Sequence, residues 1–400
     1  MPERVVVAGA AMAGLRAAEG LRSAGWSGQI VIVGDEPRMP YNRPPLSKNF
    51  LAATGPDESL LFPLSPRAGD LVWRLGSAVT RADLDRRLVW IGDEALPWDG
   101  LVIATGLRPR RLALHDPDGG RHVLRTHADA TRLRAALRVS SSLAVLGAGF
   151  VGCEVALTAR ALGLQVHVVA PEPVPVLRPL GQLVGAELRR RHELSGVRFH
   201  LGVVPAGFGR THRGQAVTLS DGQVLEADVF VEAIGSTPNV EWLDGNGLDL
   251  SDGVLCDNEL QVEGRPDVRA CGDVACFPNP LFDHTPRRVE HWATAADTGK
   301  QAGRALAAAL AGSPPPTTRA FTPVPHFWSD QGDVRIRSFG WLAADERDIR
   351  VLEGDLQGDA VIGYHRDGEL VGVVLLGAAS RAAYYRNLIA SRSTRLECQA

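Results

Sequence analysis

Residue types that mark specialised classes of protein are scarce in this chain. It has five cysteines in 400 residues, and none of them forms a C-x-x-C pair: Cys153, Cys256, Cys271, Cys276 and Cys398. An odd, widely spaced set of this kind does not build a disulfide framework and is typical of a reducing compartment. We therefore expect a cytoplasmic protein, and we expect no metal site.

Long apolar runs are absent as well. No stretch of about 18 uncharged apolar residues occurs, and the first apolar stretch, Val5 to Leu15, carries glycines at motif spacing. This pattern argues against a signal peptide and against a membrane span. The net charge of -3 gives no sign of a nucleic-acid-binding surface. We expect neither a membrane nor a nucleic acid as a partner.

Lysine is nearly absent, since Lys48 and Lys300 are the only two among 43 basic residues. A lysine inside a motif is therefore informative. The remaining composition, with 45% apolar and 22% charged residues, is typical of globular proteins. A chain of 400 residues folds into two or three domains, and the proline cluster Pro314–Pro316 is typical of a linker.

Two segments of the chain repeat one pattern, a buried strand, a glycine-rich turn, a helix and a second strand. This is the opening of a βαβ unit, which predicts parallel, doubly wound sheets. In the first segment the strand spans 4–8, the turn 9–14, the helix ends at about 23, and the second strand spans 29–33. In the second segment the strand spans 142–146, the turn 147–152, the helix ends at about 162, and the second strand spans 165–169.

The second turn is a complete G-x-G-x-x-G motif formed by Gly147, Gly149 and Gly152. The first glycine makes the tight turn, the second lets the backbone approach a pyrophosphate, and the third lets helix and strand pack. The following strand ends in Ala170 rather than an acid, and Glu172 comes two residues later. Because no arginine precedes position 178 here, the pattern favours NADH over NADPH.

The first turn departs from the motif, because Ala11 stands where the second glycine is expected between Gly9 and Gly14. One methyl group tightens the approach of a pyrophosphate without abolishing it. Asp35 and Glu36 close the second strand, about 20 residues after the turn, where a carboxylate takes ribose hydroxyls. The first segment therefore also predicts a dinucleotide site.

Two strand-and-turn units mark the places where the chain crosses between domains: Leu101–Gly106 with Pro109, and Val229–Gly235 with Pro238. Alternating strands near 334–339 and 370–375, followed by a helix near 381–389, indicate a smaller α+β unit. We predict an α/β fold with two Rossmann-like dinucleotide-binding domains and a smaller α+β C-terminal domain. The predicted bounds are 1–107 with 237–318 for the first domain, 108–236 for the second and 319–400 for the third.

A further strand ends in Gly272-Asp273, which can direct a carboxylate at the polyol hydroxyls of a cofactor. The segment Glu290-His291-Trp292 and a long helix over about 293–310 follow it. A helix N-terminus directed at a flavin would stabilise the negative charge that develops there on reduction.

With these pieces the chain resembles the FAD-dependent ferredoxin and rubredoxin reductases, the family of putidaredoxin reductase, which serve aromatic-ring dioxygenases and bacterial cytochromes P450. The resemblance covers essentially the whole length. Its most specific piece is Pro40–Lys48, PYNRPPLSK, close to the R-P-P-L-S-K signature of the family. The other shared motifs are Ala104–Pro109, Gly147–Glu154, Ala270–Asp273, Glu290–Trp292 and Phe327–Gln331.

The resemblance implies an FAD site in the first domain and an NADH site in the second. Val79 would lie near the adenine of FAD and Trp292 near the isoalloxazine. The predicted catalytic residues are Lys48, Glu154 and Trp292. The predicted cofactor-binding residues are Gly9, Ala13, Gly14, Asp35, Glu36, Arg43, Lys48, Val79, Thr105, Gly106, Arg125, Gly147, Gly149, Gly152, Glu154, Glu172, Gly272, Asp273 and Trp292.

The resemblance also implies the reaction, in which FAD takes a hydride from NADH and electrons pass singly to a ferredoxin or rubredoxin. Lys48 would lie beside the flavin, where a cation tunes the reduction potential. Glu154 would face the nicotinamide carboxamide, although a carboxylate at a helix start also suits the helix dipole. Trp328 would line the electron exit, although a buried aromatic residue is more often core.

Other functions use the same nucleotide folds. A disulfide reductase needs a reactive cysteine beside the flavin, and the segment 40–48 has none. An NADH oxidase or a reductase of quinones or other small acceptors needs no signature residue, so both stay open. An intact nicotinamide turn argues against a non-catalytic flavoprotein that acts only in signalling. An acidic ferredoxin would dock on an arginine-lined face near the flavin edge.

Overall fold

The structure is a computed structural model that describes residues 3–53, 60, 62–116, 119–212, 214–312, 320–342 and 348–392. Strands and helices are numbered β1–β26 and α1–α7 along the chain over these residues. The proline cluster Pro314–Pro316 and Cys398 lie outside the described residues.

A five-stranded, all-parallel sheet forms the centre of the first nucleotide-binding unit. Its strands, in spatial order, are β19 (Val268–Ala270), β7 (Gly100–Ile103), β1 (Arg4–Ala8), β2 (Gln29–Gly34) and β3 (Val72–Leu75). Its central strands are fully buried and rich in Val, Ile and Leu, as expected for a parallel sheet that is covered on both faces.

Helices α1 (Met12–Ser23) and α6 (Trp292–Leu310) pack together beside this sheet. The two backbones come close because small residues face each other. A Cβ atom on Gly303 would lie only 2.0 Å from the carbonyl oxygen of Ala17. A segment near residue 300 therefore completes the unit that begins at residue 4.

Smaller elements surround the first sheet. One three-stranded antiparallel sheet contains β4 (Val79–Asp83), β5 (Leu88–Ile91) and β6 (Glu94–Pro97). A mixed three-stranded sheet contains β18 (Val254–Leu255), which pairs parallel with β20 (Ala275–Asn279), and β21 (Asp283–Arg288), which pairs antiparallel with β20. The short helix α2 spans Asn49–Ala52 and follows a 3-10 turn at Pro44–Ser47.

A second five-stranded parallel sheet lies at the centre of the next unit. Its order is β12 (Val197–Leu201), β11 (Gln165–Ala170), β10 (Ser142–Leu146), β16 (Val229–Glu232) and β9 (Arg121–His122). The helices of this unit are α3 (His127–Arg138), α4 (Phe150–Ala161) and α5 (Leu177–Leu194). Helices α3 and α4 pack on one face of the sheet. An antiparallel meander of β13 (Pro205–Thr211), β14 (Gly214–Leu219) and β15 (Val224–Glu226) covers the opposite face.

Two short strands link the two units. Strand β8 (Leu107–Pro109) pairs antiparallel with β17 (Ser236–Pro238), with Leu107 opposite Pro238. These are the two segments where the sequence predicts crossings, and they lie side by side. The domain bounds themselves stay a prediction.

The C-terminal unit is a five-stranded antiparallel sheet with one helix. The order is β22 (His326–Gln331), β23 (Val334–Gly340), β26 (Glu369–Leu376), β25 (Ala360–Arg366) and β24 (Asp348–Gly354). Helix α7 (Ala382–Ala390) packs on this sheet through Tyr385. The predicted fold class, with its two Rossmann-like units and smaller α+β unit, is confirmed. No helix in the described parts of the chain is long and apolar enough to cross a membrane.

Candidate functional site

The first glycine-rich turn connects β1 to α1 and is closed by its own backbone. Gly9 has φ 123°, and a Cβ atom there would lie 2.0 Å from the carbonyl oxygen of Ala104. A Cβ on Gly14 would lie 1.9 Å from the carbonyl oxygen of Gly9. Ala11 is the N-cap of α1, and its side chain makes no cap hydrogen bond. The first N–H groups of α1 therefore lie at the turn where the sequence predicts a pyrophosphate.

A cleft opens beside this turn, at the carboxyl end of β2. Asp35 is exposed in the cleft, whereas Glu36 is held by its neighbours. Arg43 donates to Glu36 Oε1 at 2.6 Å, and the Tyr41 hydroxyl donates to Oε2 at 2.7 Å. Burial raises the pKa of Tyr41, so its hydroxyl remains a donor. Of the two predicted carboxylates, Glu36 is therefore engaged by neighbouring side chains, whereas Asp35 faces the cleft.

The loop after β19 closes the first turn from the other side. A Cβ atom on Gly272 would lie 2.8 Å from the Cβ of Ala13, so the loop and the turn touch. Asp273 forms an ion pair with Arg125 at 2.8 Å. Arg43 donates to the carbonyl oxygen of Arg125 at 2.9 Å. The chain thus brings together residues that lie far apart in sequence, as a cofactor cradle requires.

Four further predicted residues belong to the same unit. The Thr105 hydroxyl donates to the carbonyl oxygen of Asn239 at 2.7 Å, and Gly106 follows with φ 63°. Val79 begins β4 and packs on the core of the first unit. Trp292 is the first residue of α6, whose N-cap makes no side-chain hydrogen bond.

The second glycine-rich turn has the same closure but a more open centre. A Cβ atom on Gly152 would lie 2.2 Å from the carbonyl oxygen of Gly147, whereas a Cβ on Gly149 would meet nothing within 4 Å. Gly149 is the N-cap of α4 and has no side chain to offer. The backbone at this point is therefore free to approach a phosphate group.

An ion pair lies just beyond the carboxyl end of β11 in the second sheet. Glu172 lies 3.2 Å from Arg178, whose side chain is 85% exposed. Between them, Val176 adopts φ 47°, a left-handed conformation that is rare for a β-branched residue. Its N–H donates to the carbonyl oxygen of Ala148 at 2.8 Å, which ties this edge to the glycine-rich turn.

The two nucleotide units meet at an ion pair between Lys48 and Glu154. Lys48 Nζ lies 2.8 Å from Glu154 Oε2, and the two side chains are 15% and 6% exposed. Two hydroxyls also donate to this carboxylate, Ser47 Oγ to Oε2 and Ser329 Oγ to Oε1, both at 2.5 Å. The structure therefore places two of the predicted catalytic residues in direct contact.

Sequence reasoning missed three of these polar residues: Tyr41, Ser47 and Ser329. Tyr41 and Ser47 lie inside the motif 40–48, and Ser329 lies inside the motif 327–331. Their position inside these motifs is the sequence signal for all three, whereas their hydrogen-bond partners depend on how the units pack.

The four cysteines within the described ranges are free and buried. Burial raises the pKa of Cys153 and of Cys256, raises that of Cys271 to about 12, and raises that of Cys276. Each thiol therefore stays protonated at neutral pH. A thiolate nucleophile is not available among them.

Trp328 lies on the outer face of β22 with 39% of its surface exposed. Its cross-strand neighbour is Arg337, which is also exposed. Arg335, two residues earlier on β23, pairs with Asp330 on the same face. Trp328 is thus a surface residue and not part of the core.

Comparison with known proteins gives a consistent result over both parts of the chain. Residues 3–299 match the pyridine nucleotide-disulphide oxidoreductase family, and residues 326–399 match the reductase C-terminal family. The chain is 36% identical to rhodocoxin reductase of Rhodococcus erythropolis, over 88% of this chain and 81% of that protein.

Two further relatives extend the match. The ferredoxin–NAD(+) reductase component of the p-cumate 2,3-dioxygenase system of Pseudomonas putida is 35% identical, over 98% of this chain and 94% of that one. The structure of the covalent putidaredoxin reductase–putidaredoxin complex superposes with a TM-score of 0.87 at 29% identity, covering 98% of this chain and 93% of that one. The chain therefore belongs to the pyridine nucleotide-disulphide oxidoreductase family, and along its length it is similar to the reductases of ferredoxin-dependent oxygenase systems.

Proposed function

We propose that this protein is an FAD-dependent NADH:ferredoxin reductase, which takes two electrons from NADH and delivers them singly to a ferredoxin or rubredoxin. The observation that carries the proposal is the contact between Lys48 and Glu154 at 2.8 Å. Lys48 follows the first nucleotide turn, and Glu154 lies in the helix that begins at the second. Two nucleotide sites that meet at one charged pair suit direct transfer between their ligands.

The cofactors are FAD and NADH, and the residues fit both. For FAD, the closed turn at Gly9, the exposed carboxylate of Asp35 and the Asp273–Arg125 pair form one continuous cradle. For NADH, the open backbone at Gly149 offers the closest approach to a pyrophosphate.

The remaining predicted cofactor contacts are assigned in the same way. Glu172 would bind the ribose of NADH, because its carboxylate is near the end of β11. The FAD contacts proposed in addition are Ala13, Gly14, Glu36, Arg43, Val79, Thr105, Gly106, Gly272 and Trp292, and those for NADH are Gly147, Gly152 and Glu154.

When bound, FAD supplies the conversion between two-electron and one-electron chemistry: one NADH and two oxidised acceptors give NAD+, one proton and two reduced acceptors. The protein residues supply position and field. Glu154 and the carbonyl oxygen of Pro44 both accept from the Lys48 ammonium group and fix its position. No protein acid or base is needed for hydride transfer. The charged groups where the two units meet, Lys48 and Glu154, form a fixed ion pair.

The exposed face of β22 and β23 is the proposed docking site for the acceptor. Trp328 is exposed there beside Arg337, so an aromatic ring and a cation occupy the same face. A ferredoxin of acidic surface would be drawn to this face by charge. The relatives named above act with rhodocoxin or putidaredoxin, or in a dioxygenase system, and we assign this protein an acceptor of the same class.

We also propose that the protein works in the cytoplasm. The four cysteines of the described ranges are free thiols, which suits a reducing compartment. The same buried thiols argue against disulfide reduction, since that reaction requires a thiolate beside the flavin.

The test is anaerobic mixing of the purified holoprotein with NADH, followed by addition of an acceptor. We expect NADH to bleach the flavin absorbance, and we expect cytochrome c reduction to depend on an added ferredoxin from the same genome. A flavin that stays oxidised with NADH would refute the proposal. Rapid reoxidation by oxygen alone, with no effect of any ferredoxin, would favour an NADH oxidase.

A further inference from the structure

We propose that Ser329, on the C-terminal sheet, is a positioning residue that fixes the Glu154 carboxylate against Lys48 and so sets the rate of flavin reduction. This inference rests on the proposed function. It adds a contribution from the third unit of the chain to a site that otherwise belongs to the two nucleotide units.

The first argument is the way β22 lies along α4. Residues of a strand alternate between two faces, and on β22 the inner face carries Phe327, Ser329 and Gln331. The Phe327 ring lies 4.8 Å from the ring of Phe150, and Ser329 donates to Glu154 one helical turn later. The strand thus follows the first turns of the helix, and its side chains meet those of α4 in register.

The second argument is the hydrogen bonding of the carboxylate. Glu154 is 5% exposed, so its charge must be compensated by the protein. Lys48 and Ser47 both act on Oε2, and Ser329 is the donor to Oε1. Among the described residues, Ser329 supplies the hydrogen bond to Oε1. Without it, the carboxylate is held through Oε2 alone and can rotate about its last bond.

The third argument is that the Ser329 hydroxyl has a fixed direction. Gln331 Nε2 donates to Ser329 Oγ at 3.0 Å, and both residues are fully buried. Because the oxygen already accepts from Gln331, its own hydrogen is left to donate to Glu154. The hydrogen bonds therefore run from Gln331 to Ser329 to Glu154, and Lys48 donates to the same carboxylate from its other oxygen.

The main test compares Ser329→Ala with Ser329→Thr in the holoprotein, using the limiting rate of anaerobic flavin bleaching by NADH. Loss of one hydrogen bond to a charged group predicts a rate lower by roughly tenfold for Ser329→Ala. The apparent dissociation constant for NADH should change little, because Ser329 acts on the ion pair and not on the nucleotide turn. Ser329→Thr retains the hydroxyl and should restore the rate.

Ser338→Ala is the matched control. Ser338 lies on the neighbouring strand opposite Phe327, is 1% exposed, and its hydroxyl has no hydrogen-bond partner within the described structure. The same substitution in the same sheet should leave the rate of bleaching unchanged. An equal loss in both alanine variants would mean that the sheet is perturbed in general, and the inference would be wrong.

A second measurement separates a direct role from an indirect one. In a background with Lys48→Met and Glu154→Gln together, Ser329→Ala should slow bleaching no further, because the pair through which it acts is gone. In the apoprotein, Ser329→Ala should raise the equilibrium constant for unfolding. The increase should be roughly tenfold larger when the Lys48–Glu154 pair is present than in the double variant that lacks it. Equal effects in both backgrounds would overturn the inference.

Two outcomes are kept apart by design. If NADH does not bleach the parent protein, the proposed function fails and not the role of Ser329. If the parent is bleached and Ser329→Ala is bleached at the same rate, Ser329 has no positioning role. Should Ser329→Ala fail to fold, Gln331→Leu removes the donor that directs the hydroxyl, and it must slow bleaching for the inference to stand.

Discussion

The two glycine-rich turns of this protein are built alike but differ at their centres. Gly9 and Gly147 both have positive φ. In each turn the last glycine, Gly14 or Gly152, packs against the carbonyl oxygen of the first glycine. At the middle position the first turn has Ala11, whereas the second has Gly149 with open space around it.

The surroundings of the first turn are likewise more enclosed than those of the second. The first is enclosed by the loop at Gly272 and by the Arg125–Asp273 ion pair, whereas the second has beside it Glu172 and the highly exposed Arg178. One turn therefore suits a ligand that stays, such as FAD, and the other suits a ligand that must leave after each turnover, such as NAD+. On the proposed assignment, the same backbone turn retains a cofactor in one unit and exchanges one in the other.

The largest effect should come from filling the open turn. Gly149→Val adds a side chain where a Cβ atom meets nothing, so folding and FAD content should persist while the pyrophosphate is displaced. We expect kcat/KM for NADH to fall by at least about a hundredfold. The control is Gly209→Val in β13, where a Cβ atom likewise meets nothing within 4 Å. Loss of FAD from Gly149→Val would show that the turns are not specialised as described.

A smaller effect should follow from neutralising the pair at which the units meet. The double variant Lys48→Met and Glu154→Gln removes both charges together and leaves no buried charge unpaired. We expect the limiting rate of flavin bleaching to fall by roughly tenfold or more, because a fixed cation is lost beside the developing negative charge. Lys300→Met, at the only other lysine, is the control and should bleach like the parent. Parent-like bleaching in the double variant would exclude an electrostatic role for the pair.

The edge of the second unit should set the choice of nucleotide. Glu172→Ala removes a carboxylate that would repel a 2′-phosphate and releases Arg178 to attract one. The ratio of kcat/KM for NADPH to that for NADH should rise by about tenfold, equivalent to roughly 1.4 kcal/mol. Glu193→Ala removes a comparable exposed ion pair with Arg189 and should leave the ratio unchanged. An unaltered ratio in Glu172→Ala would place the ribose site elsewhere.

The smallest effect concerns the acceptor. Ferredoxin-dependent cytochrome c reduction should fall by roughly threefold when the ionic strength is raised from low to physiological values, because salt screens the docking charges. Arg337→Ser should reduce this dependence, whereas reduction of a neutral quinone should be unaffected by either change. Turnover with the physiological ferredoxin that ignores salt would argue against docking at this face.

Much of the fold was predictable because local patterns decide it. The strands 4–8 and 142–146 and the ends of α1 and α6 agree with the sequence prediction to within a residue, since apolar runs and glycine turns bound them. The two segments that the sequence predicts as crossings contain β8 and β17, which pair with each other.

The ion pair at the centre of the site was less accessible to sequence reasoning. Lys48 and Glu154 were each predicted to contact a cofactor, but nothing local shows that residues 106 positions apart meet. The contribution of Ser329 depends on how a third unit packs on α4, which is a tertiary property. The experiments above test the predicted contacts to FAD and NADH.

The interrupted arrangement of the first unit has a consequence for biosynthesis. Its sheet is incomplete until β19 has been made, and the partner of α1 ends only at residue 310. The second unit is contiguous, from β9 to β16, so it can form while the ribosome is still translating the remainder. On the proposed assignment of FAD to the first unit and NADH to the second, the nascent chain completes its NADH-binding unit first, and flavin loading is a late event of synthesis.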